Sequence, residues 1–102
     1  HAHPNSYVSG VFYINADKGV DKISFFRSGY STFIPTVTQF NIFNSQTTTY
    51  TMQGGDVLLF PSSLEHGVDI KKGTNMRTSL SFNVFFRGTF GDKRALTELI
   101  IK

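Results

Sequence analysis

Nowhere in its 102 residues does the chain sustain a repeat of apolar side chains at intervals of three and four, the spacing that lets a helix bury one face. What recurs instead is a short run of β-branched and aromatic residues closed off by Gly, Asn, Asp, Pro or Ser. This rhythm predicts about eight short strands, at residues 7–14, 22–26, 37–43, 47–52, 56–60, 66–70, 77–87 and 96–101, the last of them open between an edge strand and a helical turn. Turn-bounded strands at this spacing build a sandwich or a barrel, so an all-β meander is expected. Residues 37–43 alternate most plainly, with Val37, Gln39, Asn41 and Phe43 on one face and Thr38, Phe40 and Ile42 on the other. The Asn44-Ser45-Gln46 turn then predicts a hairpin with residues 47–52. Gly10 inside the first strand marks a close backbone approach or a bulge. Residues 27–35 form a long irregular connection, the kind of loop that contacts substrates.

The chemistry gathers in residues 54–83, a Gly-Gly turn, an apolar strand, a Pro61-Ser62-Ser63 corner, a lone histidine, a basic turn and a strand opened by an arginine. His66 and Arg77 stand eleven residues apart, each at the start of a predicted strand, so strands lying side by side would aim both heads into one barrel mouth. An imidazole offers a lone pair to a metal, and a guanidinium offers a planar fork to a carboxylate. A metal beside an anion clamp points to a keto-acid site. At the other end, His1 and His3 flank Ala2 and share one side of an extended segment. Three histidines are then able to converge on one ion.

Alone, His66 would read as a hydrogen-bonded surface histidine and Arg77 as a side chain snorkelling at a strand end. Their conjunction with His1-Ala2-His3 changes that reading. Tyr13, Asn5 and Asn83 read as structural polar groups, and Lys71-Lys72 as a solvated turn. Ser62 and Ser63 lie near His66 but lack the Gly-x-Ser-x-Gly elbow of a serine nucleophile.

The segments His1-Ala2-His3-Pro4-Asn5-Ser6, Tyr7-Val8-Ser9-Gly10-Val11-Phe12-Tyr13, Phe60-Pro61-Ser62, His66 and Arg77-Thr78-Ser79-Leu80-Ser81-Phe82-Asn83 resemble a bacterial and phage group of iron(II)/2-oxoglutarate-dependent oxygenases. The resemblance runs over nearly the whole chain. It implies a double-stranded β-helix, a jelly-roll or cupin-like barrel, that hydroxylates a substrate while oxoglutarate is decarboxylated to succinate. It also implies His1, His3 and His66 as ligands of iron(II) or another divalent metal, Arg77 and Ser79 as the anchor of the oxoglutarate tail, and dioxygen as the other co-substrate. His3 stands where that superfamily places a carboxylate ligand. Helices and a first strand precede this point in the group, so residues 1–102 correspond to a catalytic core cut from a longer chain. Were His1 a true terminus, a histidine at position three with free backbone amides would instead suit a square-planar copper or nickel ion.

Two other readings fit part of the pattern. A cupin also pairs His-x-His with a later Gly, Pro and His, which Gly55, Pro61 and His66 match, but Tyr7 and Val8 fall where its glutamate ligand belongs, and it gives Arg77 no task. A catalytically silent barrel, serving as a binding or structural module, would need neither metal nor oxoglutarate.

Composition narrows the classes further. With no cysteine, the chain excludes disulfides, thiolate metal sites and a cysteine nucleophile, and any metal must take N or O ligands. No apolar run approaches the roughly 18 residues of a membrane span, so a soluble, cytoplasmic protein without a membrane partner is expected. The net charge of +3 comes from basic residues scattered along the chain, which only weakly suggests a nucleic-acid partner. The subunit number is open.

Overall fold

The structure is a computed structural model and describes every residue except 28, 30–32, 34 and 35. Eight strands follow in order: β1 (Val8–Asn15), β2 (Lys22–Phe26), β3 (Thr47–Thr51), β4 (Val57–Pro61), β5 (Glu65–Gly67), β6 (Thr78–Val84), β7 (Gly88–Phe90) and β8 (Leu99–Ile101). The described residues contain no helix, so none is long and apolar enough to cross a membrane. The strands form three open antiparallel sheets, β4-β1-β6, β3-β2-β5 and β7-β8. No sheet closes into a barrel. Nor is the chain a meander, because β1, β4 and β6 alternate along the sequence with β2, β3 and β5, a distribution compatible with a jelly roll.

The two three-stranded sheets meet through one small core. Side chains on a strand alternate between faces, so Val11 and Tyr13 of β1 share a face with Phe60 of β4, and Ile23 and Phe25 of β2 supply the opposing face. With Met52 these residues are buried together, and Ala16, Leu58 and Leu64 pack against them. Tyr13 N–H donates to Asp56 O and Gly55 N–H to Tyr13 O, while Met52 N–H donates to Asp21 O. These bonds carry the sheet pairing past the strand ends on both sides of the core. Gly10 lies opposite Leu59 and Phe82, where a Cβ would run into the Phe82 ring and lie 2.8 Å from Leu59 Cδ2. It is therefore a close approach, and the bulge falls later, between Tyr13 and Asn15.

The predicted strand at residues 37–43 does not form. Its polar residues bond to their own backbone instead. Asn41 Oδ1 accepts from Phe43 N–H at 2.8 Å, and Asn44 Oδ1 accepts from Asn41 N–H at 2.8 Å. Asn44 Nδ2 donates to Gln39 O at 2.9 Å, and Ser45 Oγ donates to Asn41 O at 2.6 Å. Asn and Ser side chains that satisfy the backbone locally compete with a ladder, and here the turn wins. β3 consequently pairs with β2 instead of closing a local hairpin. The strands expected at residues 66–70, 77–87 and 96–101 are shorter than the sequence suggested, and Gly88–Phe90, expected as loop, is a strand. Of the 27–35 connection, most lies outside the described residues.

The Cα radius of gyration is 17.8 Å, against about 13 Å for a compact domain of this length. The sheets are one-sided: Val57, Leu59, Leu80 and Val84 alternate onto the outer face of β4-β1-β6 and are exposed. Burial energy is thus concentrated between the sheets. Phe25→Ala should cost about 3–5 kcal/mol, the range for emptying a buried aromatic site, while Phe43→Ala in the exposed turn should stay within about 0.5 kcal/mol. Urea unfolding of both variants checks this, and equal losses would place the stabilising contacts elsewhere.

Candidate active site

Residues 1–3 reach the site as an added edge segment. His66 N–H donates to His1 O at 2.9 Å, His1 N donates to His66 O at 2.8 Å, and His3 N–H donates to Ser62 O at 2.9 Å. This pairing sets His1 and His3 against β5. The three ring centroids lie 4.6–5.1 Å apart, and one ring nitrogen from each falls within 4.8 Å of the others. Two ligating nitrogens on one ion can be at most about 4.2 Å apart at metal–nitrogen bonds of about 2.1 Å, so small side-chain rotations bring all three into range.

His66 is the buried member. Its Nδ1 lies 3.1 Å from Leu64 O. A carbonyl only accepts, so this bond puts the proton on Nδ1 and leaves the Nε2 lone pair for a ligand, as in many metal-bound histidines. Phe60 packs its ring 4.7 Å from the imidazole and Phe25 stands 6.0 Å away. The chemistry of three neutral nitrogen donors, one orientated by a carbonyl, fits a divalent first-row metal.

The corner that carries this segment is pinned by hydroxyls. Ser9 Oγ shares a 2.8 Å hydrogen bond with Ser62 Oγ and donates to Asn83 Oδ1 at 2.7 Å, and Ser62 Oγ also lies 2.8 Å from Ser6 Oγ. Ser9 and Ser62 are buried. Ser62 therefore ties the corner to β1 through Ser9, which carries the link on to Asn83 of β6, in keeping with the absence of a serine elbow.

Between the sheets lies a cavity of about 450 Å³ whose wall includes His1, His3, His66, Tyr13, Arg77 and Ser79. Arg77 and Ser79 stand two residues apart, on the same face at the start of β6, and Ser79 is opposite Tyr13. His66 belongs to the other sheet. The histidine and the arginine thus meet across the gap between sheets, not from strands lying side by side as the sequence suggested. Burial is the main influence on the Tyr13 phenol and raises its pKa above the ordinary 10.0, with Arg77 opposing and Asp21 reinforcing the shift. Tyr13 belongs both to the buried core and to the cavity wall.

Asp21 was missed altogether. It is fully buried just before β2, and Lys71, read from sequence as part of a solvated turn, is its ion-pair partner at 3.0 Å. Arg77 Nη1 stands 3.7 Å from the same carboxylate oxygen. An aspartate after Gly19-Val20 looks like any turn residue, and no local signal reveals partners fifty residues on.

Asp21 is held at a pKa of about 2, below the ordinary 3.8. The Asp17 N–H is the largest cause, burial opposes it, and Asn75 and Lys71 assist. Because the folded value is the lower one, folding favours the ionised form, and the stabilisation is complete above about pH 4 and lost as pH falls through 2. The urea midpoint of the native protein should therefore drop more steeply between pH 4 and 2 than that of Asp21→Asn, and parallel curves would rule this out. His66→Ala should abolish tight metal binding while the far-UV spectrum and cooperative unfolding persist, since the core aromatics are untouched. Equal metal content by elemental analysis would remove His66 from the ligand set.

The family model described as Putative 2OG-Fe(II) oxygenase matches residues 1–83, a stretch that runs from the histidine pair through Arg77 and Ser79 to the end region of β6. No curated protein and no solved structure matches the chain. By that match, over more than half its length, the chain belongs to the 2OG-Fe(II) oxygenase family.

Proposed function

We propose that the chain is the core of an iron(II)/2-oxoglutarate-dependent dioxygenase of the double-stranded β-helix type, with His1, His3 and His66 as metal ligands and Arg77 and Ser79 as the oxoglutarate anchor. The observation that carries this reading is the single cavity walled by all five side chains. A divalent metal held by the histidines would supply a Lewis-acidic centre that couples the decarboxylation of oxoglutarate by dioxygen, yielding succinate and carbon dioxide, to hydroxylation of a C–H bond in a further substrate. The protein's own contribution is placement. Arg77 offers two N–H groups to the distal carboxylate, and Ser79 offers one O–H from the same strand face. Phe60, Val11 and Ile23 line the same wall and keep water from competing for those donors. His66, with its proton fixed on Nδ1, presents Nε2 without a tautomer change.

The three-histidine set lacks the carboxylate of the facial triad usual for iron(II), so imidazole-friendly alternatives such as zinc, copper or nickel compete for the site. A cupin-type metal protein would leave Arg77 without a task.

Charge-assisted hydrogen bonds contribute about 1.5–3 kcal/mol each. Arg77→Ala should then weaken oxoglutarate binding by about a hundred- to several-thousandfold and leave metal affinity nearly unchanged. Arg77→Lys should fall between, because it keeps the charge and loses the bidentate fork. Anaerobic calorimetric titration of oxoglutarate into the metal-loaded proteins measures all three. Indistinguishable affinities are what a cupin or a silent barrel predicts, and would remove the oxoglutarate assignment.

A further inference from the structure

Asp21 is a charged group with no exposed surface, yet it does not line the cavity. Its two oxygens divide their work. Oδ2 accepts from Asp17 N–H at 2.8 Å and from Asn75 Nδ2 at 3.0 Å, tying the β1–β2 turn to the loop before β6. Oδ1 has no directed hydrogen bond among the described residues and is faced instead by two cations, Lys71 Nζ at 3.0 Å and Arg77 Nη1 at 3.7 Å. A carboxylate oxygen buried without a directed donor is costly unless nearby charge compensates. The two cations supply that compensation, and one of them is the cavity's own guanidinium.

We propose that Asp21 is the positioning residue of the anion site: it holds one edge of the Arg77 guanidinium from behind, so that the remaining N–H groups stay turned into the cavity before any ligand arrives. The inference rests on reading Arg77 as the oxoglutarate anchor. It also accounts for the local charge. Asp21 with Lys71 and Arg77 leaves one net positive charge, which a single distal carboxylate neutralises. Lys71 shares the buried carboxylate, so Arg77 is held without being fully spent on an internal ion pair. At 3.7 Å the Arg77 contact is a charge contact and not a hydrogen bond, which leaves the fork free to close on a ligand.

Positioning and bare Coulomb attraction predict opposite results. Asp21→Asn keeps the shape and raises the local charge by one unit; attraction alone would then tighten oxoglutarate binding, whereas loss of positioning weakens it. Removing the partner behind a metal-ligating residue costs about ten- to hundredfold, and by analogy a weakening of that order is expected here, with metal content unchanged. The test is anaerobic calorimetric titration of oxoglutarate into metal-loaded wild type, Asp21→Asn, Arg77→Ala and the double variant, each checked for cooperative thermal unfolding. If Asp21 acts through Arg77, its replacement has no further effect once Arg77 is alanine. An unchanged or tighter affinity in Asp21→Asn, or an equal loss in both backgrounds, overturns the proposal. Should Asp21→Asn fail to fold, Asp21→Ser, which removes the same charge and the same contact to Arg77, is read through the same cycle and the same two criteria. A wild type that binds metal but no oxoglutarate overturns the anchor reading itself and this inference with it.

Discussion

The edge-to-face contact between Phe25 of β2 and Phe60 of β4, with ring centroids 4.9 Å apart, joins the two three-stranded sheets, and everything at the site is referred to it. Phe60 also packs on His66, so one ring sets both the gap between sheets and the seat of the buried imidazole. Aromatic pairs of this kind contribute about 0.5–1.5 kcal/mol beyond their buried area. Their larger consequence here is geometric. His66 hangs from one sheet, Arg77 and Ser79 from the other, and only the packing of the sheets brings them to one cavity.

Polar groups are organised around that contact in two separate systems. The hydroxyls of Ser6, Ser9 and Ser62 with the Asn83 amide brace the corner from which His3 and His66 are placed. In the second, Asp21 gathers the β1–β2 turn, the loop before β6 and the Arg77 guanidinium. The first system is neutral and lies beside the three histidines, and the second is charged and lies beside Arg77. Each half of the site therefore has its own buried support, and a site with supporting groups behind its binding groups can be pre-organised before ligand arrives.

The five residues that wall the cavity together could be picked out without coordinates, since a His-x-His pair, a later histidine and an Arg-x-Ser narrow the chemistry, and the family match spans the same residues. Asp21 and Lys71 were not legible. Each looks like an ordinary turn residue, and their importance arises from a pairing across fifty positions. Likewise, the alternation at residues 37–43 was a faithful strand pattern that the chain does not use, because Asn41, Asn44 and Ser45 satisfy the backbone in place.

By itself the sequence determined the all-β character and the donor types available for a metal and an anion, because these follow from side-chain alternation, turn chemistry and the absence of cysteine. Tertiary structure alone decided which strands are neighbours, that β1, β4 and β6 form one sheet while β2, β3 and β5 form the other, and that the histidines and Arg77 face each other across the gap. The physical reason is that strand propensity is local, whereas a ladder and an ion pair are made with residues far along the chain, and their partners are chosen by which faces must be buried together.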